Sequence, residues 1–145
     1  MCGERETKVI STRTIKKGSE IRRRRECTQC EERFTTYERV KLDIRVVKKD
    51  GTREKFQREK LKNGISRSCE KRPVSEEEIE EIVDKIEVRL REMKGNEIES
   101  AKIGELVMKE LKELDKVSYI RFASVYKSFE DASSFEEEVK TLKGS

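Results

Sequence analysis

The chain has 145 residues, of which 46% are charged and 32% hydrophobic, and it contains no His. The absence of His excludes His-containing catalytic triads and the usual nitrogen ligand of zinc. No apolar run is long enough for a membrane span, so we expect no membrane partner.

The charge is distributed unevenly along the chain. Residues 1–73 contain 23 basic and 12 acidic residues, whereas residues 74–145 contain 12 basic and 19 acidic residues. A basic half suggests a polyanionic partner such as nucleic acid, although a solvated basic surface has the same composition. No signal-peptide pattern follows Met1, which predicts a cytoplasmic protein. In that reducing compartment, the four Cys favour metal ligation or buried thiols over disulfides.

Three short segments near the N-terminus are rich in β-branched and aromatic residues. Residues 7–11, 20–26 and 33–40 are each bounded by polar or glycine-containing turns, which predicts the strands of a small sheet. We expect its core to consist of the few apolar side chains available: Val9, Ile10, Ile21, Phe34 and Tyr37. A core of this size usually needs a metal ion or another cross-link.

The cysteines supply a candidate metal site. Cys27 and Cys30 form a C-x-x-C pair, which on a tight turn directs both sulfurs to one point and favours zinc. Cys2 is the candidate for a second arm, with water or a carboxylate such as Glu4 in the fourth position. A redox pair is the alternative, but the βαβ context that it requires is missing. Cys69 continues an apolar helical stripe, which predicts a buried thiol.

Seven arginines lie on or beside the predicted strands and are candidates for DNA contacts: Arg13, Arg22, Arg23, Arg24, Arg25, Arg33 and Arg39. Strand alternation sends Arg22 and Arg24 to one face of the sheet and places Arg23 and Arg25 on the other. Guanidinium groups bind phosphates and can fork onto guanine edges. The pattern predicts a DNA-binding sheet, although such a run can also be merely solvated.

A second unit is predicted to begin near residue 42. The segment LDIRVVKK, the pair Asp50-Gly51 and the segment TREKF indicate a β-hairpin with a two-residue turn. Periodic apolar residues then predict four or five helices, one of which begins with a capping box of Ser75 and Glu78. The sequence thus predicts an α+β protein with a small all-β domain at 1–41, a mainly helical domain at 42–132 and a helical tail at 133–145.

The hairpin carries a candidate anion site. Lys48 and Lys49 end a strand, and Lys60 falls in the first turn of a helix predicted to begin near residue 57 or 58. Three cations near a helix N-terminus suit a triphosphate, although the spacing also fits a solvated basic hairpin. The absence of a G-x-x-x-x-G-K-[ST] motif excludes a P-loop, and no catalytic constellation is present, so we expect no enzyme.

Longer segments carry a family resemblance. IRRRREC-x-x-C-x-x-RFTTYERV resembles the zinc ribbon of the NrdR family, bacterial repressors of ribonucleotide reductase genes. VVKKDGTREKFQREKLKNGI resembles the nucleotide-binding ATP-cone, and CEKRPVS and YIRFASVYKSF also match NrdR. The resemblance implies a homo-oligomeric repressor with one zinc ion per chain. It also implies binding to a double-stranded DNA operator upstream of reductase genes, with ATP and dATP as effectors.

The resemblance also implies the nucleotide contacts, which are Val46, Lys48, Lys49, Glu54, Lys60 and Tyr126. The three lysines would bind phosphates, the backbone around Val46 would contact the base, and Glu54 would help to read the adenosine end. Tyr126 would lie against the nucleotide, unless it belongs to the helical core. High dATP would select an oligomer whose ribbons match the operator spacing.

The sequence departs from the family pattern in two places. NrdR proteins normally begin with C-P-x-C-G, and CGERETKVISTR aligns with the second Cys and the Gly, so the first Cys would fall before residue 1. Glu31 stands where the family usually has Gly, which predicts a strained turn. The competing interpretation is a zinc-ribbon adaptor that binds RNA or the transcription machinery without sensing nucleotides.

Overall fold

The computed structural model describes residues 2–144 and divides the chain into two compact units. We call residues 1–41 the ribbon unit and residues 42–145 the helical unit. The first is all-β and the second combines a small sheet with helices, so the predicted α+β class is confirmed. Among the described residues, no helix is both long enough and apolar enough to cross a membrane.

The ribbon unit is an antiparallel sheet with strand order β1-β2-β3. The strands are β1 (Thr7–Ile15), β2 (Glu20–Cys27) and β3 (Arg33–Arg39). A single turn of 3-10 helix at Lys16–Gly18 joins the first two strands. All three segments predicted as strands are therefore strands, although β1 extends beyond the predicted segment 7–11.

The predicted core of the ribbon unit is wrong for three of its five residues. Val9, Ile10 and Tyr37 are 42%, 46% and 54% exposed. A lone three-stranded sheet presents two faces, and residues 2–41 contain no α-helix that could cover either of them. The sheet instead buries two carboxylates, because Glu20 and Glu26 are only 3% and 7% exposed.

These buried carboxylates are satisfied by basic side chains. Glu20 accepts from Arg39 at 2.9 Å, and Glu26 accepts from Lys8 and Arg33, both at 2.7 Å. Hydrogen bonds from Lys8 and then Arg33 lower the pKa of the Glu26 carboxyl below its usual range. Ion pairs at the ends of β2 thus take part of the role that we expected of apolar packing.

The helical unit begins with a mixed sheet of strand order β5-β4-β6. Its strands are β4 (Arg45–Val47), β5 (Arg53–Lys55) and β6 (Glu97–Glu99), with β4 antiparallel to β5 and parallel to β6. The predicted hairpin is confirmed, but β6 was not predicted. Three residues with two glutamates are too short and too polar to give a strand pattern.

The predicted two-residue turn of this hairpin is wrong. The Lys48 amide donates to the Thr52 carbonyl at 2.8 Å, and the Gly51 amide donates to the Lys48 carbonyl at 2.9 Å. Three residues therefore form the loop, and Gly51 adopts a left-handed φ of +85°. Such a loop, a turn followed by a left-handed glycine, is a common alternative to the two-residue form.

Five helices complete the helical unit. They are α1 (Arg58–Ser68), α2 (Glu76–Glu92), α3 (Ser100–Leu114), α4 (Lys116–Tyr126) and α5 (Ala132–Lys143). The capping box of Ser75 and Glu78 at the start of α2 is confirmed. Cys69 is buried in the core as predicted, and burial raises the pKa of its thiol. Leu142 of α5 joins the same core, so the boundary at residue 132 stays a proposal.

Candidate functional site

Three cysteine side chains of the ribbon unit converge. The Sγ atoms of Cys2, Cys27 and Cys30 all lie within 4.8 Å of one another. The Cys2 and Cys27 Sγ atoms are 3.7 Å apart, close to the ~3.8 Å expected for two thiolates bound at ~2.3 Å to one tetrahedral zinc ion. The donor set and its spacing therefore fit zinc.

Backbone hydrogen bonds shape the turn that carries two of these ligands. The Cys27 amide donates to the Glu32 carbonyl at 2.9 Å, and the Thr28 amide donates to the Glu6 carbonyl at 3.3 Å. The pKa of the Cys30 thiol is lowered to about 7, first by a hydrogen bond from the Glu32 backbone and then by Cys27. The turn thus favours the thiolate of Cys30, which is the form that binds a metal. A hydrogen bond from the Glu4 backbone lowers the pKa of the Cys2 thiol, but its contacts with Cys30 and Cys27 outweigh that bond, so the pKa of Cys2 is raised instead.

Glu4 does not complete the site, so that expectation is wrong. Its Oε1 atom accepts from the backbone amides of Arg5 at 2.7 Å and Glu6 at 3.2 Å. Among residues 2–144, the convergent set is limited to the three cysteines. Glu4 Oε1 is thus engaged within its own turn, outside the convergent set.

If Cys2, Cys27 and Cys30 are the only protein ligands, zinc should be held weakly, because three thiolates leave one coordination position to water. Native mass spectrometry before and after mild chelation should show less than one zinc ion per chain after treatment. Cys30→Ser should abolish zinc binding, whereas Cys69→Ala, which removes a thiol outside the cluster, should not change it. A full zinc ion retained per chain would show that a fourth protein ligand exists.

The strain expected at Glu31 is confirmed. This residue adopts a φ of +58° directly after Cys30, and its amide donates to the Cys27 carbonyl at 3.2 Å. A left-handed conformation costs a residue with a Cβ atom about 1–2 kcal/mol relative to the right-handed form. The turn therefore stores strain next to the metal ligands.

Glu31→Gly should stabilise the ribbon unit by somewhat less than this cost, since glycine also gains entropy in the unfolded chain. The expected net gain is below ~1 kcal/mol, so the Cys27 amide should exchange with solvent up to about fivefold more slowly. Glu31→Ala is the matched control, because it removes the same charge but keeps the Cβ atom. Equal protection in both variants would mean that charge, and not strain, limits the turn.

The strand register places the arginines on two faces, as predicted. Arg22 lies directly opposite Arg13 on β1 and Tyr37 on β3, and Arg24 lies opposite Thr35. Directly paired residues of an antiparallel sheet share a face, so these side chains lie together. We call Arg13, Arg22, Arg24 and Tyr37 the basic row.

The other arginines are held by neighbouring side chains. On the opposite face, Arg23 pairs with Glu38 at 2.8 Å, and Arg25 donates to the hydroxyls of Thr7 and Thr36 at 3.1 and 3.3 Å. Arg33 and Arg39, as described above, neutralise the buried carboxylates of β2. These four arginines already have partners within the sheet.

The arginines of the basic row have no acidic partner among the residues that the structure describes. Within residues 2–144, the side chains of Arg13 and Arg22 have no hydrogen-bond or ion-pair partner, and the Arg24 guanidinium donates only to Thr35 at 3.2 Å. Like charges directly opposite one another destabilise a sheet. A bound polyanion would remove that repulsion, and Tyr37 adds an exposed ring at the end of the row. The basic row is therefore the part of the sheet best suited to nucleic acid.

An open cleft adjoins the hairpin of the helical unit. We call it the hairpin cleft. Its apolar wall consists of Val46, Phe56, Leu61 and Ile103. Its polar lining includes Glu54, Gln57, Lys60 and Ser100. An apolar wall beside charged groups suits a ligand that has an aromatic base and phosphates.

Two helix N-termini open onto the hairpin cleft. Helix α1 begins at Arg58 after Gln57, and α3 begins at Ser100 after Glu99. In the described chain, neither preceding residue caps its helix with a side-chain hydrogen bond. Because Gln57 and Ser100 line the cleft, the positive ends of two helix dipoles lie beside it, with first-turn amides that have no partner within their own helices. The predicted anion site therefore receives a second helix that the sequence did not reveal.

Three of the predicted nucleotide residues form one charged cluster. The Lys60 ammonium lies 3.0 and 3.2 Å from the two carboxylate oxygens of Glu54, and the Lys48 ammonium lies 3.2 Å from Oε2. Hydrogen bonds from Lys60 and then Lys48 lower the pKa of the Glu54 carboxyl. Val46 lies opposite Glu54 in the β4–β5 ladder, so four of the six residues lie together.

The remaining two residues, Lys49 and Tyr126, line a different groove together with Phe129 and Glu138. The Tyr126 hydroxyl donates to the Ala101 carbonyl at 2.6 Å, and its ring lies so close to Gly104 that a Cβ atom there would come within 2.1 Å of it. This packing agrees with the core interpretation of Tyr126. Its contact with a nucleotide stays a prediction.

Sequence reasoning missed Ser100 and Ile103 of the hairpin cleft. Both belong to the start of α3, which reaches the cleft through β6 and its parallel pairing with β4. The only sequence signal was Gly95-Asn96, which marked the end of one helix but not the path to the next. Strands β4 and β6 pair in parallel although their paired residues are 52 positions apart, as for Val46 and Ile98, and such a pairing leaves no local sequence pattern.

Comparisons with known families divide the chain at the same place as the structure. Residues 1–38 match a family model described as "Transcriptional repressor NrdR-like, N-terminal domain". Residues 44–132 match a model described as "ATP cone domain". These two spans lie in the ribbon unit and the helical unit, respectively.

Individual relatives match nearly the whole chain. The transcriptional repressor NrdR of Petrotoga mobilis is 56% identical over 145 residues, which cover 99% of this chain and 97% of the relative. NrdR of Streptococcus sanguinis is also 56% identical, with 99% and 93% covered, and NrdR of Thermotoga neapolitana is 54% identical, with 98% and 92% covered. The similarity therefore extends over both units.

Proposed function

The chain belongs to the NrdR family of transcriptional repressors of ribonucleotide reductase genes, and on this premise we propose how its two units divide the work. The ATP-cone binds ATP or dATP in the hairpin cleft, and the zinc ribbon binds operator DNA. The identity of the nucleotide decides how tightly the DNA is held. The protein is a repressor and not an enzyme, and we place it in the cytoplasm with its DNA.

The observation that carries the nucleotide site is the pair of lysines that contacts Glu54, a residue that lines the hairpin cleft together with Lys60. Lys48 and Lys60 meet around one carboxylate, beside the N-terminal ends of α1 and α3. Two ammonium groups and two helix N-termini supply the donors that a triphosphate requires. The apolar wall of the cleft suits the base, and Val46 belongs to that wall.

The DNA partner is supported by the charge of the ribbon unit. We assign phosphate and base contacts to the basic row, because the other arginines already hold partners in the sheet. A single zinc ion on Cys2, Cys27 and Cys30 would fix the turn that ends β2. It supplies only structural cross-linking, which a sheet with so few buried apolar residues needs.

The two sites communicate through assembly. A nucleotide changes DNA affinity only if it favours one arrangement of the protein over another. We propose a homo-oligomer whose size depends on whether ATP or dATP fills the cleft. The dATP-loaded form would place its zinc ribbons at the spacing of the operator, and repression would follow.

Equilibrium binding of ATP and dATP to the full chain tests this proposal most simply. We expect binding at micromolar concentrations, together with preferential binding to a DNA fragment from upstream of a reductase gene over unrelated DNA. An adaptor for RNA or the transcription machinery would bind neither nucleotide at such concentrations. That outcome would overturn the proposed function.

A further inference from the structure

The hairpin cleft contains its own anion. The carboxylate of Glu54 binds both lysines that we assign to phosphate, at 3.0 Å from Lys60 and 3.2 Å from Lys48. A ligand phosphate that binds the same two ammonium groups would come close to this carboxylate and be repelled by its charge. Glu54 therefore places a negative charge inside the cleft, next to the groups that an entering anion would bind.

The position of Glu54 allows its carboxylate to leave the lysines when an anion binds. Its backbone is fixed opposite Val46 in the β4–β5 ladder, but its side chain is 33% exposed and lines the cleft next to Lys60. The glutamate side chain can rotate away from the lysines while the strand stays in place. The carboxylate stays ionised at neutral pH, because both lysines lower its pKa.

We propose that Glu54 determines the specificity of the cleft by acting as an internal counter-ion that phosphate must displace. This inference rests on the proposed nucleotide site and adds a role for one of its residues. Displacement leaves a bare carboxylate beside a polyanion, which is unfavourable unless the ligand also offers a hydrogen-bond donor. A nucleoside triphosphate carries ribose hydroxyls and an adenine amino group, whereas inorganic triphosphate offers almost only acceptors.

The cleft should therefore discriminate against free polyphosphates even though both classes of ligand carry the same phosphate chain. Lys48 and Lys60 attract either ligand, but only the nucleotide compensates Glu54. This arrangement keeps free polyphosphates from occupying Lys48 and Lys60, so that these lysines remain available to ATP and dATP. It requires no conformational change beyond the rotation of one side chain.

The test is calorimetric titration of the full chain with ATP and with inorganic triphosphate in one magnesium-containing buffer. Glu54→Gln keeps the size of the side chain and removes its charge. We expect this variant to bind inorganic triphosphate about tenfold more tightly than the parent, because a competing charge-assisted contact is lost. The affinity for ATP should increase less, so the ratio of ATP affinity to triphosphate affinity should fall.

Glu97→Gln is the matched control. Glu97 lies on β6 of the same sheet and pairs with Arg53 at 2.7 Å, outside the residues that line the cleft. It makes the same change in net charge and should leave the affinity ratio unchanged. Glu54→Asp, whose shorter carboxylate reaches the lysines less well, should shift the ratio in the same direction by a smaller factor.

The outcomes separate this inference from the function on which it rests. If the parent binds no adenine nucleotide, the proposed function fails. If ATP binding depends on Lys60 but Glu54→Gln leaves the affinity ratio unchanged, only the counter-ion role fails. An equal decrease of the ratio of ATP affinity to triphosphate affinity in Glu97→Gln would also overturn the counter-ion role, since net charge would then explain the effect.

Discussion

Lys60→Ala should weaken the binding of both ATP and dATP by roughly ten- to a hundredfold. A hydrogen bond between charged groups contributes ~1.5–3 kcal/mol, and each ~1.4 kcal/mol is a factor of ten in affinity. The affected lysine lies at the hairpin cleft and is 60% exposed, so it reaches the ligand without rearrangement of the core. Fluorescence or calorimetric titration of the full chain with either nucleotide measures the loss.

Lys62→Ala is the matched control for this substitution. Lys62 lies on the same helix, but it points to α2, where it pairs with Glu80 at 2.7 Å. Its removal changes the net charge of α1 equally and should leave nucleotide affinity within about twofold of the parent. If both variants lose the same amount of affinity, the loss results from the change in net charge, and Lys48 and Lys60 are not the phosphate site.

DNA binding should depend steeply on salt and on the basic row. With about six phosphate contacts per bound unit, affinity should fall on the order of 10³-fold between 50 and 200 mM salt. The double variant Arg22→Ala and Arg24→Ala should lose about two of these contacts. The same change in salt should then cost only about 10²-fold, because each contact contributes ~0.9 to the logarithmic slope. Fluorescence anisotropy over a series of salt concentrations measures both slopes.

The opposite face provides the comparison for this experiment. The double variant Arg23→Ala and Arg25→Ala removes the same charge from the same strand. Its slope should change less, since Arg23 is paired with Glu38 and Arg25 is bound to two threonines. A larger decrease of the salt slope for Arg23→Ala and Arg25→Ala would place the DNA contacts on their face instead of on the basic row. Unchanged slopes in both double variants would place the DNA interface outside β2.

Features with a local sequence signal were predictable. The capping box of Ser75 and Glu78, the C-x-x-C turn and the alternation of the four consecutive arginines each depend on neighbours within a few residues. Backbone geometry translates such spacing directly into structure. The strained turn at Glu31 was expected from the family resemblance, because the family usually has Gly at this position.

Features that depend on pairing between distant segments were not predictable. The sequence did not show that Glu54 would bridge Lys48 and Lys60, because that contact needs the β4–β5 register and the start of α1 together. The exposure of Val9 and Tyr37 was missed for a related reason. Apolar residues on a strand predict burial only if another layer covers them, and sequence alternation does not reveal whether such a layer exists.

The central claim is that the nucleotide in the cone sets the DNA affinity of the ribbon, and one measurement tests it directly. Operator affinity and oligomer mass should be determined in parallel, by anisotropy and by size-exclusion chromatography with light scattering, on protein loaded with ATP or with dATP. We predict different masses and roughly five- to 150-fold tighter operator binding with dATP, the usual range of allosteric coupling. Lys60→Ala should show no difference at nucleotide concentrations that load the parent but not the variant. Equal mass and equal operator affinity with both nucleotides demonstrably bound would contradict the account.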